Sequence, residues 1–340
     1  MQIGAVERVR LGLFPTPLVE LKALSDHLGG PRIFMKRDDL DGLGMGGNKL
    51  RKLEYAMADA ITQGATTVIT TGAVQSNHCR LTAAAANKLG MNCQLVLSGE
   101  EPEIATGNLL LDRILGVKAI HYVPRLTPKE KEAAGRDPVQ EKVTEIEAQI
   151  RKDGGTPYYI PNGCRSLHGA LGYASCVREV VEQMYGLNLA PDCFVSACGS
   201  VSTQTGLMLG SELYCQAQAR VIGISVSRDR GYIAEKLASS IAEAHDYLDL
   251  QGLPSSEIIA YDEYIGEGYG IPTAEMKDAV SLVACKEGIF LDPVYTGKVM
   301  AGLIDLIKRC ELKKGENVIF IHTGGLPGMF AEAQVVNLQL

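Results

Sequence analysis

A lysine beside a run of glycines is the first feature of this sequence that could do chemistry. Lys49 follows the glycine-rich stretch 42–47 and stands where a predicted helix, 50–60, begins. The positive end of a helix and the like charges of Arg51 and Lys52 lower the pKa of a lysine. A neutral amine forms a Schiff base with an aldehyde. The segment therefore indicates either a reactive lysine or a solvated helix start with ordinary lysines.

The same glycines also fit two nucleotide-binding motifs, but their surroundings do not. Gly42, Gly44 and Gly47 have the spacing of a dinucleotide fingerprint, yet the acidic stretch 37–41 separates them from the preceding strand-like residues. Gly42 and Gly47 also have the spacing of a phosphate-binding P-loop, but Asn48 occupies the position of the P-loop lysine. A nicotinamide-dependent oxidoreductase built on this loop is the alternative from a different class of enzyme.

A second group of polar residues lies between a predicted strand and a predicted helix. The consecutive residues Gln75, Ser76, Asn77 and His78 follow the β-branched stretch 65–72. Unpaired N–H groups and the dipole at a helix start bind carboxylates, and Ser76 or Asn77 can cap the helix. Capping alone is the alternative, but it accounts for only one of the four residues. The segment therefore favours a carboxylate site.

The stretch 196–206, SACGSVSTQTG, indicates a phosphate site. It joins a strand to a helix and combines small residues, hydroxyls and exposed N–H groups, which together can surround a phosphate. It contains no lysine and so is not a Walker loop, and an ordinary turn is the alternative. Further polar clusters lie at predicted strand ends, at 292–298 (DPVYTGK) and 322–325 (HTGG). Ligands bind at such ends in open α/β sheets.

Composition excludes several classes of function. The 340 residues are 46% hydrophobic and 21% charged, as in an ordinary globular protein. A net charge of −7 offers no electrostatic footprint for nucleic acid. We find no apolar run that could span a membrane and no secretory leader. Nine scattered cysteines favour free thiols in a reducing cytoplasm. The histidines lack paired spacing, so no metal site is expected, and no serine-hydrolase elbow is present.

Short strands alternate with longer helices along the chain. Predicted strands cover 65–72, 93–99, 117–123, 157–161, 193–198, 220–226 and 317–322. Predicted helices cover 50–60, 77–90, 109–115, 128–152, 203–218, 231–245, 273–288 and 297–309. Such alternation predicts parallel sheets covered by helices on both faces. We expect two α/β domains with a cleft between them. A non-catalytic amino-acid-binding protein of two lobes also fits, but the missing export signal disfavours it.

These stretches together resemble the pyridoxal-phosphate enzymes of the tryptophan synthase β-like class, fold type II. Within it the chain is most similar to the group of D-cysteine desulfhydrase, 1-aminocyclopropane-1-carboxylate deaminase and L-cysteate sulfo-lyase. The matching stretches run in the family's order and span nearly the whole chain. They are PTPL at 15–18, KRDD at 36–39, GGNKLRKLE at 46–54, GAVQSNH at 72–78, the loop 199–206, GYGIP at 268–272, DPVYTGK at 292–298 and FIHTGG at 320–325.

The resemblance implies pyridoxal 5'-phosphate as cofactor, a small amino acid as substrate, and a role for each matched residue. Lys49 would carry the cofactor as a Schiff base and act as the catalytic base. The implied phosphate ligands are Lys52, Gly199, Ser200, Val201, Ser202 and Thr203. Asn77 would contact the ring oxygen, and Thr296 the pyridine nitrogen. The implied substrate-binding residues are Gln75, Ser76, Asn77, His78 and Thr323, and the implied catalytic residues beside Lys49 are Ser76, Tyr269 and Tyr295.

The resemblance also implies an architecture. Two parallel-sheet α/β domains would hold the cofactor in the cleft between them, in a homodimer. A small domain, 53–162, would be inserted into a large domain made of 1–52 and 163–340. Ser202 departs from the family, which often has glycine there. A serine serves at that position only if the backbone does not need a positive φ.

Position 296 bears on the reaction. The matching position in the deaminases resembles a glutamate, whose carboxylate keeps the pyridine nitrogen protonated. In this chain Thr296 offers only a neutral hydroxyl. The weaker electron sink suits expulsion of a good β-leaving group, so we expect a desulfhydrase that converts D-cysteine to pyruvate, sulfide and ammonia. Release of sulfite from L-cysteate stays open, because Arg165 or His168 could hold a sulfonate. Deamination of 1-aminocyclopropane-1-carboxylate is the next alternative.

Overall fold

The computed structural model describes residues 3–165 and 167–331. The strands in these residues are β1 Leu18–Glu20, β2 Arg32–Arg37, β3 Thr67–Ala73, β4 Asn92–Ser98, β5 Ala119–Val123, β6 Pro157–Ile160, β7 Cys193–Cys198, β8 Arg220–Ser225, β9 Ile259–Tyr261 and β10 Asn317–His322. The helices are α1 Lys22–Leu28, α2 Lys49–Thr62, α3 Asn77–Lys88, α4 Gly107–Ile114, α5 Pro128–Ala134, α6 Pro138–Lys152, α7 Leu167–Tyr185, α8 Ser202–Tyr214, α9 Arg230–Leu248, α10 Ala274–Glu287, α11 Thr296–Lys308 and α12 Leu326–Met329.

The strands form two sheets. The larger has the order β1-β2-β10-β7-β8-β9, and the smaller has the order β5-β4-β3-β6. Every pairing is parallel except that of β1 with β2. Parallel strands need crossover connections, and helices supply them here. The predicted α/β architecture with parallel sheets is confirmed.

Each sheet is covered by apolar packing on both faces. In the small sheet, Val68 of β3 packs in the core formed with α2 and α3, whereas the adjacent Ile69 packs against α6. In the large sheet, Val318 of β10 faces α10 and α11, and Ile319 faces α7 and α8. Burial on both faces explains why these strands are continuous apolar runs in the sequence.

Helices α7 and α8 approach each other closely beside the large sheet. A Cβ atom on Gly206 of α8 would lie 2.3 Å from the carbonyl oxygen of Ala170 on α7. Only glycine permits this contact. The packing fixes the position of α8 and therefore of the loop 199–201 that precedes it.

The predicted helix 128–152 is two helices. Gly135 has a left-handed φ of +61° and ends α5, and Asp137 then accepts a hydrogen bond from Val139 N as the N-cap of α6. Pro138 occupies the first position of α6, where its missing N–H costs nothing. The charged, helix-forming composition predicted one helix, but the chain ends a first helix at Gly135 and begins a second one after the N-cap Asp137.

The four strands of the small sheet all lie within the predicted small domain, 53–162. The predicted boundary at residue 52 falls inside the continuous helix α2. The boundaries of the two domains stay a prediction.

Candidate active site

A cleft of about 490 Å³ lies at the carboxyl ends of both sheets. Its walls include Ala73 and Ser98 from the small sheet, and Ala197 and Thr323 from the large one. The predicted site residues that line it are Lys49, Ser76, Asn77, His78, Gly199, Ser200, Val201, Thr203, Tyr269, Tyr295 and Thr323. Four others, Lys52, Gln75, Ser202 and Thr296, lie outside this lining and are described below.

Lys49 is the first residue of α2 and lies in the cleft. The turn before it is tied to the large sheet, because Asn48 N donates to Thr323 O at 3.0 Å. Burial lowers the pKa of Lys49 to about 8. The predicted direction is right, but burial is the cause, and the like charges of Arg51 and Lys52 that were expected to lower this pKa do not contribute to it.

Arg51 belongs to a buried ion network beneath α2. Its guanidinium donates to Asp38 at 2.8 Å and to Glu179 at 2.8 Å, and Glu179 also pairs with Lys36 at 2.9 Å. Asp38 accepts a further hydrogen bond from the Tyr173 hydroxyl at 2.7 Å. The network anchors the start of α2 to β2 and α7, and its carboxylates neutralise the charge that was expected to act on Lys49.

Lys52 reaches from α2 to the start of α8. It is 0% exposed, and its Nζ donates to Ser202 Oγ at 2.7 Å. Burial and the nearby Lys49 lower its pKa well below the usual value. In the described parts of the chain no carboxylate lies within salt-bridge distance of Lys52. A buried cation without an anion is costly, so its position indicates a place for an anionic group.

Helix α8 starts at Ser202 without a side-chain cap, which leaves first-turn N–H groups available to a ligand. Ser202 has ordinary helical backbone geometry, so the serine that departs from the family's glycine is tolerated. The strain lies one residue earlier, where Val201 has a φ of +53°. A β-branched residue in this region costs about 1–3 kcal/mol.

At the start of α3 the four predicted polar residues have different environments. Ser76 is the N-cap, and its Oγ accepts from Cys79 N at 3.2 Å. The amide of Gln75 is bound to α4, since it donates to Thr106 O and accepts from Asn108 N.

His78 and Asn77 complete this helix start. The Nε2 of His78 lies 2.9 Å from the Thr70 hydroxyl, and burial keeps the pKa of His78 well below its usual value. His78 is therefore a neutral side chain. Asn77 Oδ1 accepts from Arg80, and the amide borders the cleft.

Tyr269 and Tyr295 meet across the cleft, with their hydroxyl oxygens 2.5 Å apart. Asp292 fixes the turn that carries Tyr295, because its carboxylate accepts from the backbone N–H groups of Val294, Tyr295 and Thr296. Thr296 is 1% exposed, and its hydroxyl donates to Asp292 at 2.7 Å. The hydroxyl proton of Thr296 is thus held by Asp292.

Sequence reasoning missed the cationic rim of the cleft. Arg125, Arg165 and Arg228 line it, and no Asp or Glu occurs among its described lining residues. Arg165 was considered for a sulfonate, but Arg125 and Arg228 were not. The available signal was their position within three residues of the ends of β5 and β8, because the carboxyl ends of parallel strands share one edge of a sheet. His168, the other residue considered for a sulfonate, is not part of this lining.

Comparison with known proteins identifies the family. The model of the pyridoxal-phosphate dependent enzymes matches residues 9–324. The chain belongs to this family. D-cysteine desulfhydrases from two strains of Klebsiella pneumoniae are each 43% identical over 325 residues, which cover 93% of this chain and 93% of theirs.

Solved structures agree with this assignment. The crystal structure of a homologue of 1-aminocyclopropane-1-carboxylate deaminase superposes with a TM-score of 0.87 at 38% identity, covering 99% of this chain and 97% of the other. Processed threonine deaminase isoform 2 from Solanum lycopersicum shares the fold, with a TM-score of 0.66 at 18% identity over 95% of this chain and 82% of its own. The predicted fold type II class is confirmed.

Pyridoxal phosphate is the cofactor of this family, and the residues of the cleft fit it. The buried Lys52 and the uncapped α8 start suit a phosphate, and Lys49 supplies an amine. Gly163 keeps space open between them: a Cβ there would lie 3.9 Å from Lys49 Nζ and 3.1 Å from Ser200 Cβ. In the described residues we find no cluster of metal-ligating side chains, and no described helix is long and apolar enough to cross a membrane.

Proposed function

We propose that this protein is a carbon–sulfur lyase that converts D-cysteine and water to pyruvate, sulfide and ammonia. The observation that carries the proposal is the 43% identity with D-cysteine desulfhydrases over 93% of both chains. Thr296 supports it, because it puts no carboxylate where the deaminases have one to strengthen the electron sink. The individual roles given below are part of the proposal.

Pyridoxal phosphate, when bound, withdraws electrons from the α-carbon of an amino acid and so makes the α-proton acidic. Lys49 is the base for that proton. Since its pKa is about 8, on the order of a tenth of the amine is neutral at pH 7 and able to accept a proton. An ordinary lysine would be almost wholly charged.

The substrate carboxylate binds at the start of α3. Ser76 can donate its hydroxyl proton there while its oxygen still caps the helix, and Asn77 adds an amide donor. Gln75 supports this turn from behind through its hydrogen bonds to α4. His78 and Thr323 border the same space as neutral groups.

Tyr269 and Tyr295 supply a proton to the leaving sulfur. Burial raises the pKa of Tyr295 well above its usual value and also raises that of Tyr269. Both hydroxyls therefore keep their protons at neutral pH, and their mutual hydrogen bond lets one be replenished by the other.

Release of sulfite from L-cysteate is the second candidate, and the cationic rim favours it. In the described residues Arg125, Arg165 and Arg228 have no carboxylate within salt-bridge distance, so they are available to a sulfonate. We expect Arg125→Gln to raise KM for L-cysteate more than for D-cysteine if sulfonates are substrates. Arg113→Gln, at an exposed arginine that pairs with Glu101, is the matched control.

The deciding experiment measures 2-oxo acid release from the purified holoenzyme: pyruvate from D-cysteine, L-cysteine, L-cysteate, D-serine and β-chloroalanine, and 2-oxobutyrate from 1-aminocyclopropane-1-carboxylate. Sulfide from D-cysteine with the highest kcat/KM of the series supports the proposal. Preference for L-cysteate moves the assignment to a sulfo-lyase, and preference for the cyclopropane substrate moves it to a deaminase. Failure to release a 2-oxo acid from any of them excludes the proposed chemistry.

We also propose that the enzyme acts in the cytoplasm as a homodimer. None of the nine described cysteines forms a disulfide bond, and six of them are buried, which supports a reducing compartment. The dimer rests on resemblance to the family. Light scattering of the purified holoenzyme tests it, and a mass of 36.5 kDa, that of a single chain, would contradict it.

A further inference from the structure

We propose that Arg80 is a positioning residue that aims the amide of Asn77 into the cleft as a hydrogen-bond donor to the cofactor's ring oxygen. This inference rests on the part of the proposed function that places Asn77 against the cofactor. It does not depend on which amino acid is the substrate.

Arg80 lies one helical turn after Asn77 and is 1% exposed. Its Nη1 donates to Asn77 Oδ1 at 2.9 Å and to Asn108 Oδ1 at 2.5 Å, and its Nη2 donates to Gly46 O at 2.8 Å. One buried guanidinium therefore holds three separate segments of the chain.

The chemistry of arginine decides which way the amide of Asn77 points. A guanidinium has only donors, so the atom of Asn77 that faces it must be the oxygen. The NH₂ group then points away from Arg80. Among the described residues Asn77 Nδ2 has no hydrogen-bond partner, and the side chain borders the cleft. Asn77 consequently presents a donor, the right complement for an anionic ring oxygen.

The other two contacts of Arg80 place this donor relative to the rest of the site. Asn108 Nδ2 donates to Gln75 O, and its backbone N–H donates to Gln75 Oε1. Gly46 begins the turn that leads directly to Lys49. The same guanidinium thus sets the spacing between the amine, the amide and the carboxylate-binding turn.

The charge of Arg80 acts in the same direction. Burial lowers its pKa to about 10, so it stays positive at neutral pH. The acidic groups near it are Asp41 and Asp112, and burial raises the pKa of each to about 9 and about 8. The positive charge of Arg80 polarises Asn77, because its Nη1 contacts the amide oxygen directly. A polarised amide donates more strongly to an anion.

A double-mutant cycle tests the inference, using Arg80→Lys, Asn77→Ala and the two combined. The readouts are the dissociation constant of pyridoxal phosphate from the apoprotein and the absorption maximum of the bound cofactor. We expect Arg80→Lys to weaken binding by roughly tenfold, the size of a hydrogen bond to a charged group, and to shift the absorption maximum. In the Asn77→Ala background, Arg80→Lys should weaken binding by clearly less than tenfold, since only the contacts with Gly46 and Asn108 are then left to lose.

The inference would be overturned if the effects of the two single substitutions on the dissociation constant multiplied in the double variant. An unchanged absorption maximum in Arg80→Lys would also overturn it. Arg220→Lys is the control, since Arg220 pairs with Glu316 at the amino end of β8, away from the cleft. If Arg80→Lys does not fold, Asn108→Ala replaces it in the cycle because it removes the other amide that holds the guanidinium. These readouts need no turnover, so they stay valid even if D-cysteine proves not to be a substrate.

Discussion

Replacing Lys52 with methionine should leave the stability of the empty protein nearly unchanged but weaken its affinity for the cofactor. In the apoprotein Lys52 is a buried amine whose pKa is well below its usual value and whose partner is the hydroxyl of Ser202. Methionine removes that hydrogen bond, at a cost of about 1 kcal/mol, and also removes the cost of burying the polar amine. We expect the free energy of unfolding of the apoprotein to change by no more than about 1 kcal/mol.

The effect on the cofactor is larger. A hydrogen bond between an ammonium and a phosphate contributes about 1.5–3 kcal/mol, which corresponds to roughly a 10- to 150-fold change in Kd. Pyridoxal, which lacks the phosphate, should bind wild type and Lys52→Met about equally. Lys52→Met should therefore lower the ratio of the affinity for pyridoxal phosphate to the affinity for pyridoxal. Fluorescence titration of the apoprotein with each compound measures this ratio.

Lys36→Met provides the matched control. Lys36 is also 0% exposed, but it pairs with Glu179 at 2.9 Å. Breaking a buried pair typically costs about 3–5 kcal/mol, so this variant should lower apoprotein stability and leave the affinity ratio unchanged. The reasoning about Lys52 is refuted if Lys52→Met destabilises as much as Lys36→Met while the preference for the phosphorylated cofactor persists.

Three further outcomes are expected. Lys49→Ala should lose covalent cofactor after borohydride reduction and lose turnover by about three orders of magnitude or more; mass spectrometry that finds the adduct on Lys52 or Lys298 would identify a different anchor. The rate at which the apoprotein captures the cofactor should rise with pH, because only the neutral amine of Lys49 reacts. It should level off above about pH 8, where Lys49 titrates, and a rate that still rises at pH 10 contradicts this. Thr296→Glu should slow sulfide release from D-cysteine by roughly tenfold, equivalent to about 1.4 kcal/mol in the barrier. The uncharged variant Thr296→Gln should slow it less. Equal rates for the two variants would refute the electron-sink argument.

Local patterns in the sequence were sufficient for the elements that carry the site. The strands β7 and β10 have the predicted bounds, and α3 begins at the predicted residue, Asn77. Buried parallel strands are continuous apolar runs bounded by turns, and a helix start is marked by its cap, so both signals lie within a few residues. The same locality explains the error at 128–152, where helix propensity outweighed the short signal of Gly135 and Pro138.

Contacts between distant segments could not be predicted in the same way. Nothing near Lys49 in the sequence shows that Asp38 and Glu179 neutralise Arg51, or that burial lowers the pKa of the amine. Thr296 was placed by resemblance at the pyridine nitrogen, and only the structure shows that its hydroxyl proton is held by Asp292. Its predicted role at the cofactor stays a prediction.

The sequence by itself determined the alternation of strands and helices around the site, the polar turns at their ends and the family to which they belong, because each of these depends on neighbouring residues and their spacing. It did not reveal β1, β9, α1, α7 or α12. Tertiary structure decided which charges are buried, which are paired and which way an amide points. Desolvation and hydrogen-bond geometry depend on groups brought together from far apart in the chain, as Arg80 joins Gly46, Asn77 and Asn108. The reactivity of the site arises from that assembly.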